Sequence, residues 1–154
     1  MPIRFDNVYV TSTGSFLPGA PVGNDDIDRY IAPINATSAR IKRRILAENG
    51  ITRRHYAIDA NGETVLSNTQ MAAMAINHCL SDAEVELQDV TILCTGSSGG
   101  DLAMPGFANM VQGELHAPPM TTSAHQGVCA AGMAALQHAA SALELSDKGN
   151  ALVT

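Results

Sequence analysis

Cys129 is the residue of this chain best placed to do chemistry, because of the pattern on either side of it. In SAHQGVCAAGMAALQHAA, residues 123–140, a polar run of small residues turns at that cysteine into an Ala-rich helical pattern. A strand, a turn, a cysteine and then a helix put the thiol beside the unpaired N–H groups and partial positive charge of a first helical turn. A thiolate is stabilised there. The same N–H groups could receive the oxyanion formed when it attacks a thioester carbonyl. The small neighbours Gly127, Ala130, Ala131, Gly132 and Ala134 allow close approach and leave room for a substrate. The competing reading makes Cys129 one more small residue in a buried Ala-rich helix. No local base decides between them. His138 is nine residues downstream, more than two helical turns, and is expected to point elsewhere; His125, four residues upstream, comes near only if the turn folds back.

The elements around Cys129 follow from hydrophobic period and punctuation. VTILCT, Val90 to Thr95, is a buried strand that feeds the loop GSSGG. No Gly-Lys-Ser or Gly-Lys-Thr follows, so the loop is not a P-loop, and it makes a poor dinucleotide fingerprint. Pro105 opens a helix with Phe107, Met110, Val111 and Leu115 apolar. PPMTTSA is a short strand leading to Cys129, after which Cys129, Met133, Leu136, Ala140 and Leu143 form one apolar face. SDKGN is a turn and ALVT begins an apolar strand. Upstream, a strand is expected over Asn7 to Thr11, then a short helix capped by Asn24 and stopped by Pro33. SARIKRRILAE is a second helix, with Ile41, Ile45 and Leu46 apolar and Asn49-Gly50 ending it. ITRRHYAID is a short strand or extended segment, and ANGE is a turn. Ser67 and Gln70 form a capping box for a helix in which Met71, Met74, Ala75 and His78 share a face expected to be core. His78 is expected to be packed or hydrogen-bonded rather than a ligand. The alternation of strands and helices predicts one α/β layered domain over residues 1–154, with helices on a mostly parallel sheet. The chain stops as a strand begins, which suggests a piece of a longer protein.

Composition narrows the function classes. The chain is 45% apolar with a net charge of −6, which suits a globular core and argues against a nucleic-acid binder. RIKRRILAENGITRRH is the exception: Arg40, Lys42, Arg43, Arg44, Arg53 and Arg54 are six of the nine Lys and Arg. Such a patch suits an acidic partner or a phosphate-bearing substrate, or is a solvated helix face. No apolar run is long enough to span a membrane and no signal peptide is seen, so a cytoplasmic setting is expected. Three cysteines without a Cys-x-x-Cys make neither a disulfide scaffold nor a zinc ribbon; Cys79 and Cys94 read as small core residues.

Five segments occur in the order of a known family: TGSFLP near the N-terminus, NGITRRHYA at 49–57, ETVLSNTQMAAMAI at 63–76, MPGFANMVQGEL at 104–115 and GVCAAGMAAL at 127–136. The chain thus resembles β-ketoacyl-acyl-carrier-protein synthase III enzymes of the thiolase-like superfamily, and matches only their N-terminal half. The resemblance implies the N-terminal half of a five-layer αβαβα sandwich with a mixed, mostly parallel sheet, normally in a homodimer. It implies that Cys129 takes an acyl group from coenzyme A or acyl-carrier protein, and that a malonyl thioester then decarboxylates and condenses with it. Both donors are substrates, and no resident cofactor or metal is implied. The His and Asn that complete the family's triad lie in the absent C-terminal half, so the chain alone is expected to be inactive in condensation. The family often carries a Trp that stacks on the coenzyme A adenine, with an Arg four residues later. This chain has no Trp, and the matching positions are Arg44 and Glu48. Arg43, Arg44 and Arg53 are therefore expected to meet a carrier protein or phosphates. Met104 matches an aromatic that lines the partner's acyl pocket.

Three other functions compete with condensation. One is acyl transfer to an oxygen or nitrogen acceptor by the same cysteine. Another is a non-condensing partner subunit of a synthase, which Cys129 speaks against. The last is an unrelated thiol hydrolase using His125, for which no orienting Asn or Asp is evident.

Overall fold

The structure, a computed structural model, describes residues 4–146 and 149–154. The described residues form two compact units: residues up to Phe16 together with Asn68–Thr154, and Leu17–Ser67. The expected SDKGN turn lies partly outside the described residues.

The smaller unit contains strand β1, Val22–Gly23, a 3-10 helix Asn24–Arg29, helix α1, Ala36–Glu48, and strand β2, Arg53–Arg54. β1 and β2 pair antiparallel, Val22 with Arg54 and Gly23 with Arg53. Asn24 is not the expected cap: Gly23 holds that position and no side chain bonds there, which fits a 3-10 turn. α1 begins at a capping box in which Asn35 and Ser38 each bond the other's backbone N–H. Its predicted end at Asn49-Gly50 holds, with Gly50 at φ +71. No residue of α1 is buried; Ile41 and Ile45 are half exposed. Tyr30 and Tyr56 stack with ring centroids 5.0 Å apart. The ANGE turn is built on Asp59, whose carboxylate accepts from the N–H groups of Glu63 and Asn61; these bonds, that from Glu63 foremost, hold its pKa below the usual value.

In the larger unit, helix α2 (Asn68–Ser81) precedes strand β3 (Val90–Ser97), helix α3 (Phe107–Glu114), strand β4 (Thr121–Gln126), helix α4 (Ala131–Glu144) and strand β5 (Asn150–Val153). The three strands form an all-parallel sheet in the order β4-β3-β5. This is the mixed α/β fold with a mostly parallel sheet that the sequence predicts. A central parallel strand is covered on both faces, which is why VTILC reads as a continuous apolar run. Leu93 packs with Ile76 of α2, Phe107 and Val111 of α3, and Leu152. Ile92 and Cys94 pack on the opposite face with Ala135 and Ala139 of α4. Val90 shares the face of Leu93 despite its even position, because the register with β5 shifts between Val90 and Ile92. One extra residue moves every later side chain to the other face.

Several sequence expectations fail in this unit. Asn7 to Thr11 is no strand: it has no ladder partner among the described residues, Tyr9 and Val10 are more than three-quarters exposed, and the Asp6 and Asn7 N–H groups bond the Glu144 carboxylate instead. The core face of α2 is Thr69, Ala73 and Ile76, not the stripe of Met71, Met74, Ala75 and His78. The N-terminal segment occupies part of that other side: an added Cβ on Gly14 would lie 2.6 Å from Ala75 O, and His78 Nδ1 is 2.9 Å from Ser15 O. His78 is thus hydrogen-bonded, as expected. Pro105 does not open α3 but precedes its N-cap, Gly106. α2 begins directly after Ser67, and the Asp101 carboxylate accepts from the N–H groups of Asn68 and Thr69, both at 2.8 Å. An anion at that end satisfies orphan donors and complements the helix dipole.

Candidate active site

In parallel α/β sheets, reactive groups gather beyond the carboxyl ends of the strands. Cys129 is at such an end. β4 stops at Gln126, a 3-10 turn spans Val128–Ala130, and α4 starts at Ala131. The thiol is exposed, so the buried-helix reading of Cys129 fails. Val128, immediately before it, has φ +47. A β-branched residue in that region is strained by about 1–3 kcal/mol. The valine contributes little packing in return, since it is 73% exposed. The strain lies in the turn between β4 and α4, one residue before Cys129.

The face of α4 is the clearest correction. The expected apolar face, Cys129, Met133, Leu136, Ala140 and Leu143, is mostly outward; Met133 is 68% and Leu136 40% exposed. The buried stripe is Ala131, Ala135 and Ala139. The cause is a close approach to β3. An added Cβ on Gly96 would lie 2.6 Å from the Ala131 carbonyl and from Gly132 Cα. At such a separation the start of α4 presents small side chains to the sheet and turns Met133 and Leu136 outward, while Leu143, toward the far end of the helix, still packs on this cluster as expected.

Neither histidine reaches Cys129: among the described residues no hydrogen bond to its side chain is found. His125 bonds Ser123, with Nε2 and Oγ 3.0 Å apart, and its ring packs on His138 at a centroid distance of 5.1 Å. Sequence reasoning missed this pairing. The parallel register, which places Cys94 opposite Ser123 and Gly96 opposite His125, is not visible from chain spacing.

The other cysteines sit differently. Cys94 is fully buried, and burial pushes its thiol above the ordinary range. Cys79 is partly buried. Limited alkylation is therefore expected to modify Cys129 first, Cys79 more slowly and Cys94 last. Peptide mapping over time checks this, and early labelling of Cys94 would contradict the burial order.

Of the remaining predicted residues, Met104 belongs to the larger unit and is 83% exposed. Arg44 and Arg53 belong to the smaller unit and are both exposed. Arg44 Nε bonds Glu48 Oε1 at 2.8 Å, so the two positions matched to the family's Trp and Arg pair with each other. Arg43 is also exposed, whereas Lys42 is paired with Asp28.

No protein-family model matches the chain. It is 37% identical over 130 residues to a β-ketoacyl-[acyl-carrier-protein] synthase III of Roseobacter denitrificans, an alignment covering 84% of this chain and 36% of that enzyme. Among solved structures, a tetronic acid condensing enzyme superposes with a TM-score of 0.76 and 26% identity, over 93% of this chain and 41% of that one. A 3-oxoacyl-[acyl-carrier-protein] synthase III of Aquifex aeolicus gives a TM-score of 0.67 and 24% identity, over 93% and 42%. The chain therefore spans about two fifths of the length of the proteins it matches.

Proposed function

The chain is a relative of the β-ketoacyl-[acyl-carrier-protein] synthase III enzymes over part of their length, and from that premise we propose that it carries the acyl-accepting half of a condensing acyltransferase. The observation that supports this most is the exposed Cys129 on a strained turn between a parallel strand and its following helix.

In the first half-reaction the Cys129 thiolate attacks the carbonyl of an acyl-coenzyme A or acyl-carrier-protein thioester. A new C–S bond forms, the old one breaks, and the departing thiolate takes up a proton. On this reading backbone N–H groups in the first turn of α4 receive the tetrahedral oxyanion. In the second half-reaction a malonyl thioester loses CO2, and its carbanion attacks the acyl carbon. A C–C bond forms and the thiol of Cys129 is released. The substrates supply all reacting groups, so no resident cofactor is needed. The His and Asn that assist the second step in the family have no counterpart beside Cys129 among the described residues. On this reading condensation needs residues outside these 154. On this reading Met104, which is exposed, lines an acyl pocket of a second copy in a homodimer.

The test is covalent. Protein mixed with acyl-coenzyme A should gain one acyl group, which peptide mapping places on Cys129 and hydroxylamine removes. No adduct, or one on another residue, overturns the assignment. With a protein that extends beyond these 154 residues, malonyl donors then separate C–C bond formation from simple transfer to an oxygen or nitrogen acceptor.

Arg43, Arg44 and Arg53 are the carrier-side contacts in this reading. Arg44→Glu reverses an exposed charge at the cost of a helix-surface pair worth about 0.3–0.5 kcal/mol. The expected result is a rise of roughly tenfold in KM for the carrier-protein thioester at low salt, shrinking as salt screens the interaction. An unchanged KM at low ionic strength would remove Arg44 from the contact.

A further inference from the structure

Cys94, His125 and His138 come from β3, β4 and α4, and their ligating atoms all lie within 4.8 Å of one another. We propose that these three side chains form a binding site for a borderline transition-metal dication, zinc in the first instance, separate from the acyl site.

The donor set argues for the class of ion. One thiolate and two imidazoles suit zinc and its neighbours, and are poor ligands for calcium or magnesium. Three protein donors leave one tetrahedral position for water, the arrangement of an open rather than a closed zinc site. Two of the donors are set by the fold. Cys94 lies in the contact layer between β3 and α4, and His125 projects from β4 with Ser123 Oγ 3.0 Å from its Nε2. A hydroxyl at that distance holds the ring's orientation and leaves Nδ1 for the metal. Zinc with bonds of about 2.0–2.3 Å holds its donors roughly 3.5 Å apart. Donor pairs at the 4.8 Å limit must close by about an ångström; exposed His138 can shift toward the other two, and a change of the His125 rotamer supplies any remaining closure to Cys94. On coordination the Cys94 thiol gives its proton to solvent and binds as thiolate. Among the described residues this is the grouping of cysteine and histidine that meets such a distance, and the thioester chemistry at Cys129 uses none of the three.

Cobalt(II) is the probe. Reduced protein titrated with Co(II) should reach one equivalent, with thiolate-to-cobalt charge transfer in the near ultraviolet and the visible bands of a tetrahedral ion. Native mass spectrometry with Zn(II) should show one zinc per chain. Cys94→Ser should abolish the charge-transfer band. His138→Ala alters an exposed residue and so keeps the fold, which circular dichroism checks; it should weaken Co(II) binding at least about tenfold. Cys129→Ser should leave band and stoichiometry unchanged. No band at equimolar Co(II), full affinity in His138→Ala, or loss of the band in Cys129→Ser each overturns the site. The readout contains no acyl donor, so it stands or falls apart from the acyltransferase reading.

Discussion

Cys129→Ala is expected to remove the acyl adduct completely while changing unfolding free energy by no more than about 0.5 kcal/mol. Both halves follow from the same observation. The thiol is exposed, and no hydrogen bond to it is found among the described residues, so its deletion opens no cavity and orphans no polar group. Neither remaining cysteine can replace it. Cys94 is sealed between β3 and α4, where burial pushes its thiol up, and Cys79 is partly covered in α2. Incubation with acyl-coenzyme A followed by intact mass, alongside a urea titration, measures both quantities. A stable variant that still acylates would show that another nucleophile carries the chemistry. A variant that loses several kcal/mol would show that Cys129 is a packing residue after all.

The sequence and the structure agree where a residue's role depends on its neighbours in the chain. β3 was legible from VTILC because a strand covered on both faces must be apolar throughout. The end of α1 was legible from Asn49-Gly50 because a left-handed residue there calls for glycine. The turn carrying Cys129 was legible as a change from polar small residues to alanine. Disagreement arises where distance across the sheet decides. Periodicity put Met133 and Leu136 on the packed side of α4, because large apolar residues normally mark the core. The close approach at Gly96 inverts that rule and selects Ala131, Ala135 and Ala139. Asn7 to Thr11 has strand composition but no ladder partner among the described residues. Composition cannot supply a partner. His125 and His138 are thirteen residues apart and meet only because β4 and α4 flank the same end of β3.

Gly96→Ala is expected to be the most damaging single methyl group that can be added near the site. Its Cβ would stand 2.6 Å from the carbonyl carbon and oxygen of Ala131 and from Gly132 Cα. All three are backbone atoms, so no side-chain rotation relieves the clash, and α4 must move away from β3. Overpacking of this kind costs about 3 kcal/mol or more. For a domain of this size that corresponds to a fall in Tm of roughly 6–12 °C. The displacement starts at Ala131, two residues after Cys129, so the acylation rate should fall in protein that remains folded at low temperature. Gly132→Ala is the internal control, since an added Cβ there meets nothing within 4 Å and the residue lies in α4. It should raise stability by about 0.5–1 kcal/mol through helix propensity. Paired melting curves decide the point. Equal effects of the two substitutions would mean that helix propensity, rather than the close approach of α4 to β3, governs this region, and the steric account of its alanine stripe would then fail.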